Sequence, residues 1–259
     1  MIVAVTGPAG SGKTRWIREQ IAKDPQPRCY FTPDMDGVCI DRTCLAAEFP
    51  ELHIRTRGQE AELWALAESG FNVYIELPWY WELSSLEPLL NHLNCRRIAV
   101  VPQNDENAQI REWADRIIVG HQGVEMIPEL PDDELQIHRG LLTGEIVDWT
   151  SLSVFWFELI GGAYGRVKRA KGIFEIASGE SIYGDFVLGI ANSEFLALDL
   201  PRHLEGRPRR FSGFEIVGRD LERSQISATL KDCCLPASHI QHYQQQLQES
   251  FAEEQEVFI

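Results

Sequence analysis

Apolar positions in the first 120 residues fall into short, closely spaced runs separated by stretches of helical spacing. Residues 2–5, 29–32, 53–56, 73–76, 98–101 and 117–119 are runs of three or four residues, most of them largely apolar, and they read as parallel strands. Between them, Trp16, Ile17 and Ile21 recur at the spacing of one helix face, and further helices fit residues 59–68, 86–93 and 106–113. Strand and helix in alternation predict βαβ units and a mostly parallel sheet, an α/β domain over residues 1–125.

The pattern breaks at Ile127-Pro128-Glu129-Leu130-Pro131-Asp132-Asp133, where proline and acid replace periodicity. We read residues 126–148 as a linker. Beyond Trp149 the order changes. A helix over 152–160 is followed by glycine-punctuated strands at 172–177, 186–189 and 213–217, then a helix through 225–230. This predicts a smaller α+β domain over 149–259. The polar, Gln- and Glu-rich stretch 241–254 reads as a surface helix or a frayed end. No internal repeat is present.

One stretch carries chemistry. Gly7-Pro8-Ala9-Gly10-Ser11-Gly12-Lys13-Thr14 has the spacing of a phosphate-binding loop, and it lies between the first strand and the first helix, where such a loop works. The glycines let the backbone curl so that successive N–H groups point inward. The helix start adds partial positive charge. Lys13 is the candidate catalytic cation for β- and γ-phosphates, and the Thr14 hydroxyl is a candidate ligand for Mg²⁺. The strand 73–76 ends in Glu76. An acid there shares the carboxyl edge of the sheet with the loop, placed to hold Mg²⁺ or orient an attacking water.

Composition narrows the class. The chain has 259 residues and a formal charge of −15, which argues against a general nucleic-acid binder. No run of about 18 apolar residues suits a membrane span. The chain starts on a strand, so we expect no secretion signal. Six cysteines without a C-x-x-C pair fit free thiols in a reducing cytoplasm.

These residues together resemble the CobW-type GTPases, relatives of the GTPases that insert nickel into urease and hydrogenase. The resemblance rests on the N-terminal loop, the strand ending in Glu76, and Gln109-Ile110 followed by Ala114-Asp115-Arg116-Ile117-Ile118-Val119. In the C-terminal half it rests on Gly165–Phe174, Phe214–Leu221 and Leu230–Leu235, similar to the CobW C-terminal domain, so it spans most of the chain. It implies a P-loop NTPase domain joined to a domain that contacts a protein client. It implies slow, Mg²⁺-dependent hydrolysis of GTP or ATP used as a switch, in metal delivery or cofactor assembly. It also places Asp41 in a first switch loop near Mg²⁺.

The departures are specific. The family's Cys-x-Cys-Cys metal motif is absent. Its Glu-x-x-Gly becomes Glu76-Leu77-Pro78-Trp79, so the glycine amide that would sense a γ-phosphate is replaced by that of Trp79, and Pro78 has no N–H to offer. Its guanine-reading Asn-Lys-x-Asp is replaced by Gly120-His121-Gln122-Gly123. The retained chemistry is at the phosphates, with base choice open between ATP and GTP. A non-hydrolysing nucleotide-sensing scaffold is the rival reading. A small-molecule kinase, which needs a lid of arginines, has only Arg55 and Arg57 as early candidates.

Other clusters read as structural. Cys39, Cys44 and His53 match no zinc spacing, and Cys233, Cys234, His239 and His242 include adjacent cysteines that rarely face one ion. Arg166, Lys168, Arg169 and Lys171, and then Arg202, Arg207, Arg209 and Arg210, read as pairing with the protein's own carboxylates rather than with an acidic partner. Phe155-Trp156-Phe157 reads as helix core. Trp79-Tyr80-Trp81 reads as core packing too, with base stacking or a partner contact as the alternative.

Overall fold

The computed structural model describes residues 1–33, 37–103, 107–120, 134–190 and 194–257. They divide into two compact units, Met1–Ile127 and Pro128–Ile259.

The first unit runs β1 (Ile2–Thr6), α1 (Lys13–Lys23), β2 (Arg28–Thr32), α2 (Ile40–Glu48), β3 (His53–Thr56), α3 (Glu60–Glu68), β4 (Asn72–Glu76), α4 (Leu83–His92), β5 (Arg96–Val101), α5 (Ala108–Trp113) and β6 (Arg116–Val119). The strands form one parallel sheet in the order β3-β2-β4-β1-β5-β6. Alternation along each strand sorts side chains between two faces. Val3, Val5, Tyr30, Tyr74, Ile98 and Val100 pack with Ile17 and Ile21 of α1 and Leu45 of α2. Ile2, Ala4, Cys29, Phe31, Val73 and Ile75 pack with Leu63 of α3, Leu86 and Leu90 of α4 and Trp113 of α5. Both faces are covered, which is why the strands are nearly continuous in apolar residues. Ile17 and Ile21 are fully buried, each adding about 1.5–3 kcal/mol of apolar burial.

The far end of α1 is pinned at the amino edge of the sheet. The Arg28 guanidinium donates to the carbonyls of Ile21 (3.1 Å) and Asp24 (3.3 Å), and the Tyr74 hydroxyl donates to the Asp24 carboxylate at 2.9 Å. Burial pushes the Asp24 carboxyl up, but hydrogen bonds from Asn72, the Gln26 amide and Tyr74 outweigh it, so it sits below its ordinary range. Burial likewise drives the Tyr74 phenol well up.

The second unit runs β7 (Gln136–Leu141), α6 (Trp149–Ile160), β8 (Arg166–Glu175), β9 (Ser181–Val187), β10 (Glu194–Ala197), β11 (Gly213–Arg219), α7 (Arg223–Asp232) and α8 (Ala237–Val257). Its five strands are antiparallel, in the order β10-β9-β8-β11-β7. Leu152, Phe155, Trp156 and Leu159 of α6 and Ile226 and Leu230 of α7 cover one sheet face, against Val167, Ala170, Phe174, Phe214 and Ile216. This is an α+β arrangement, whereas the first unit is α/β.

The structure corrects several sequence expectations. Strand β7 lies inside the stretch read as linker. Its residues, including His138, Arg139 and Gly140, carry too little apolar signal to mark a strand, and its place comes from pairing with β11. Helix α2 and strand β10 were not foreseen either. The buried residues of α2 are only Ile40, Leu45 and Ala47. Phe155 and Trp156 are core, but Phe157 is 75% exposed, because three neighbours on one helix cannot share a face. The 241–254 stretch lies within α8. It is tied down there, since the buried Gln244 amide both accepts from Gly206 N–H (2.7 Å) and donates to Gly206 O (2.8 Å). The linker residues 127–133 and residue 106 of the third expected helix lie outside the described residues. No helix among the described residues is long and apolar enough to cross a membrane.

Candidate functional site

The glycine loop joins β1, the strand flanked by β4 and β5, to α1. Its glycines are needed for two different reasons. Gly10 (φ 76°) and Gly12 (φ 97°) sit in left-handed backbone that other residues avoid. Gly7 lies so close to β5 that a Cβ would come within 1.9 Å of the Val100 carbonyl oxygen. Helix α1 then begins at Lys13 with Gly12 as its N-cap, so no side chain caps its first-turn N–H groups. The Trp16 amide returns to the Gly12 carbonyl at 2.9 Å, so the helix is regular from its first turn.

The Lys13 ammonium folds back along the loop, donating to the carbonyls of Gly7 (2.9 Å) and Pro8 (3.1 Å). It is almost fully buried. The Ser11 hydroxyl is buried in the same loop with no hydrogen-bond partner among the described residues. Unsatisfied buried hydroxyls cost free energy, so one retained in a loop is a mark of strain or of a missing contact.

Sheet parity delivers Glu76. Tyr74 faces α1, so Glu76, two residues on, extends the same row at the carboxyl end of β4. Its register partner on β1 is Val5, two residues before Gly7. There the Thr14 hydroxyl donates to Glu76 Oε1 at 2.8 Å, and the Tyr30 hydroxyl donates to Oε2 at 3.0 Å. The sequence joined Glu76 with Thr14, and the structure brings them into contact. It did not single out Tyr30. The available signal was a tyrosine inside an otherwise apolar strand, whose buried hydroxyl requires a partner.

Asp41 is not in a loop. It occupies the first turn of α2 and lines a recess with Tyr30, Thr32, Cys39 and Arg42. Tyr30 is therefore common to the recess and to the Glu76 carboxylate. Gly120, which follows β6, closes the other side of the loop. A Cβ there would fall 1.8 Å from the Ser11 carbonyl oxygen, so the chain after β6 starts against the glycine loop. His121, Gln122, Gly123, Asp132 and Asp133 lie outside the described residues.

After Glu76, the Leu77 amide is spent on the Val5 carbonyl (2.9 Å) and Pro78 has none. Trp79 and Tyr80 pack edge to face at 5.6 Å, while Trp81 leans on the core beneath. Arg57 is exposed, and Arg55 is bound by Glu62 at 2.6 Å on the edge strand β3.

The remaining clusters are accounted for by local partners. Among the described residues no three His, Cys, Asp or Glu side chains converge as a metal site. All six cysteines are free. Burial pushes the thiols of Cys29, Cys95, Cys233 and Cys234 up to about 11. His53 is exposed and stacks on Phe71, and His239 and His242 are exposed on α8. In the basic stretches, Lys171 meets Glu215, Arg169 meets Asp185, Arg202 meets Glu180, Arg207 meets Glu145 and Arg210 meets Glu175.

Chemically, a helix start without a side-chain cap, a buried ammonium and the Thr14 hydroxyl lie on one short loop, a setting suited to an anion. Thr14 and Glu76 add adjacent oxygen donors of the kind a hard cation takes.

No protein-family model and no curated protein matches this sequence. Among solved structures, the chain is similar to the Zn(II)-bound YjiA GTPase from E. coli. Identity is 12% and the TM-score 0.31, over 90% of this chain and 98% of that one. A Zn(II)-bound triple mutant of YjiA GTPase matches at 14% identity and a TM-score of 0.32, with the same coverage. Both are distant likenesses of fold, and the functional reading below starts from this chain's own residues.

Proposed function

We propose that the protein binds a purine nucleoside triphosphate with Mg²⁺ through Gly7, Pro8, Ala9, Gly10, Ser11, Gly12, Lys13 and Thr14, and hydrolyses it slowly as a conformational switch. The observation that carries this reading is the intact loop between β1 and α1, with Lys13 laid along it and Thr14 bonded to Glu76. Lys13 and the loop amides stabilise charge on the transferring phosphoryl group. Thr14 and Glu76 hold Mg²⁺, which would neutralise phosphate charge, and Glu76 also orients water. Asp41 is a further candidate ligand, on a helix rather than the expected loop. The second unit carries client contacts. The resemblance to CobW-type GTPases makes metal delivery or cofactor assembly in the cytoplasm the setting.

A specific observation favours the rival, a nucleotide-sensing scaffold without turnover. The Leu77 amide is committed to Val5 and Pro78 has none, so the Trp79 amide is the one that stands where the resembled family has the glycine amide that senses a γ-phosphate, and a bulky side chain comes with it. Calorimetry with ATP and GTP in the presence of Mg²⁺ tests binding, and phosphate release separates the two readings. No binding of either nucleotide by the wild type sinks both.

A further inference from the structure

We propose that Tyr30 is a positioning residue that sets the Glu76 carboxylate for its role at the glycine loop. The inference rests on the nucleotide reading above. Tyr30 lies on β2 directly across from Tyr74 of β4, and it is 1% exposed. From there its side chain reaches diagonally forward two residues, to Glu76 on the same face. Its hydroxyl donates to Oε2 at 3.0 Å while Thr14 donates to Oε1 at 2.8 Å. Two fixed donors, one on each carboxylate oxygen, orient the group. A single donor leaves a carboxylate free to turn about its last bond, which is a soft torsion. Two donors on the two oxygens remove that freedom.

The placement also explains why this core position is a tyrosine. A phenylalanine would fill the same apolar space beside Val3, Val5 and Leu45. The hydroxyl adds nothing to that packing, and its described partner is Glu76. Tyr30 further lines the recess that holds Asp41 at the start of α2. It thus borders both the Glu76 carboxylate and the recess lined by Gly37, Val38 and Cys39.

Tyr30→Phe keeps the ring and deletes the donor. The test measures four quantities on the full chain: the unfolding midpoint without ligand, nucleotide affinity by calorimetry with Mg²⁺, single-turnover hydrolysis, and the same hydrolysis in Glu76→Gln and Tyr30→Phe/Glu76→Gln. We expect affinity within about twofold of wild type and hydrolysis slower by about tenfold to a hundredfold, the scale of one lost charge-assisted hydrogen bond. The double variant should be no slower than Glu76→Gln alone, because Tyr30 acts through Glu76. Unchanged hydrolysis in Tyr30→Phe, or losses that add in the double variant, overturns the proposal and leaves nucleotide binding standing. A parallel fall in affinity and unfolding midpoint that accounts for the lost rate assigns Tyr30 a structural role and also overturns it. A wild type that binds but never turns over removes the step Glu76 would assist and sinks the proposal alone, whereas a wild type that binds no nucleotide sinks the function reading with it.

Discussion

Glu76 on β4 and Glu215 on β11 are both carboxylates less than a tenth exposed, each on a strand with neighbours on both sides. Their surroundings differ in kind. Glu215 lies between two cations in direct register, Arg139 on β7 at 2.7 Å and Lys171 on β8 at 3.3 Å. Glu175 nearby is clamped by Arg210 and takes the Ser181 hydroxyl at 2.6 Å. Glu76 is held by the hydroxyls of Thr14 and Tyr30. The Thr14 and Tyr30 hydroxyls orient the Glu76 carboxylate, whereas the guanidinium and ammonium groups on Glu215 also offset its charge. Buried charge alone therefore does not mark a site. In the second unit it ties strands together, and in the first it gathers at the sheet edge where chain, helix start and loop converge.

The strongest way to break this contrast is Glu215→Ala. It removes the buried carboxylate that the half-buried Arg139 and Lys171 both meet, and removing one partner of a buried pair costs about 3–5 kcal/mol. We expect a fall of that size in urea unfolding of the second unit and no change in nucleotide affinity. The pH dependence has a definite sign. Burial pushes the Glu215 carboxyl up, but Lys171 and Arg139 prevail and hold it down to about 2, from an ordinary 4.5. A depressed carboxylate stabilises the fold above its unfolded pKa. That stability is lost as pH falls from about 4.5 toward 2. Glu215→Gln should flatten this acid limb. An unaltered limb would show that other carboxylates set it.

Lys13→Ala comes next and acts on the other side of the comparison. Lys13 is bonded to loop carbonyls, and its proposed work is on a ligand. Deleting a charge-assisted contact should weaken nucleotide binding by about 1.5–3 kcal/mol. Unfolding should change far less than in Glu215→Ala. A large stability loss with intact binding would make Lys13 a structural brace like Arg139.

How much of this was legible in the sequence follows from the same contrast. The glycine loop, β1 and the Thr14–Glu76 pair were readable because loop spacing and strand parity are local signals. The four inner parallel strands were readable because both faces of the sheet are buried there, whereas the edge strands β3 and β6 are partly exposed. Tyr30 was not, because its role depends on β2 lying beside β4, a pairing no local pattern states. Asp41 was placed in a loop by the resemblance, and α2, which buries only three residues, has too little periodicity to announce a helix instead. Strand β7 was hidden because its polar residues, such as Arg139, are neutralised by partners some 75 residues away.

Gly120→Ala sharpens the contrast at the loop itself. The added Cβ meets backbone, the Ser11 carbonyl oxygen at 1.8 Å, so the loop must move. Overpacking of this kind costs about 1–3 kcal/mol. Here it should appear in nucleotide affinity as well as in unfolding. In the second unit, Gly140→Ala meets the Phe214 ring instead and should lower stability while leaving affinity alone. Equal affinities in wild type and Gly120→Ala would mean that the chain after β6 does not shape the site.

The smallest expected effect is the choice between ATP and GTP. A guanine-specific site places a buried carboxylate to accept hydrogen bonds from N1–H and the exocyclic amine, which adenine lacks at those positions. A site built to bond a particular group strongly rejects analogues without it. Gly120 itself lies against the glycine loop, and the sequence from it reads Gly120-His121-Gln122-Gly123. No acid stands in those four positions. The Gln122 amide can donate or accept, so it suits either base, and the flat His121 imidazole can stack on either purine. We expect ATP and GTP affinities within about tenfold, a difference of at most about 1.4 kcal/mol. Competition of each nucleotide against a fluorescent analogue measures this directly. A hundredfold preference for GTP would mean that another acid reads the base, with Asp132 and Asp133 the first to substitute.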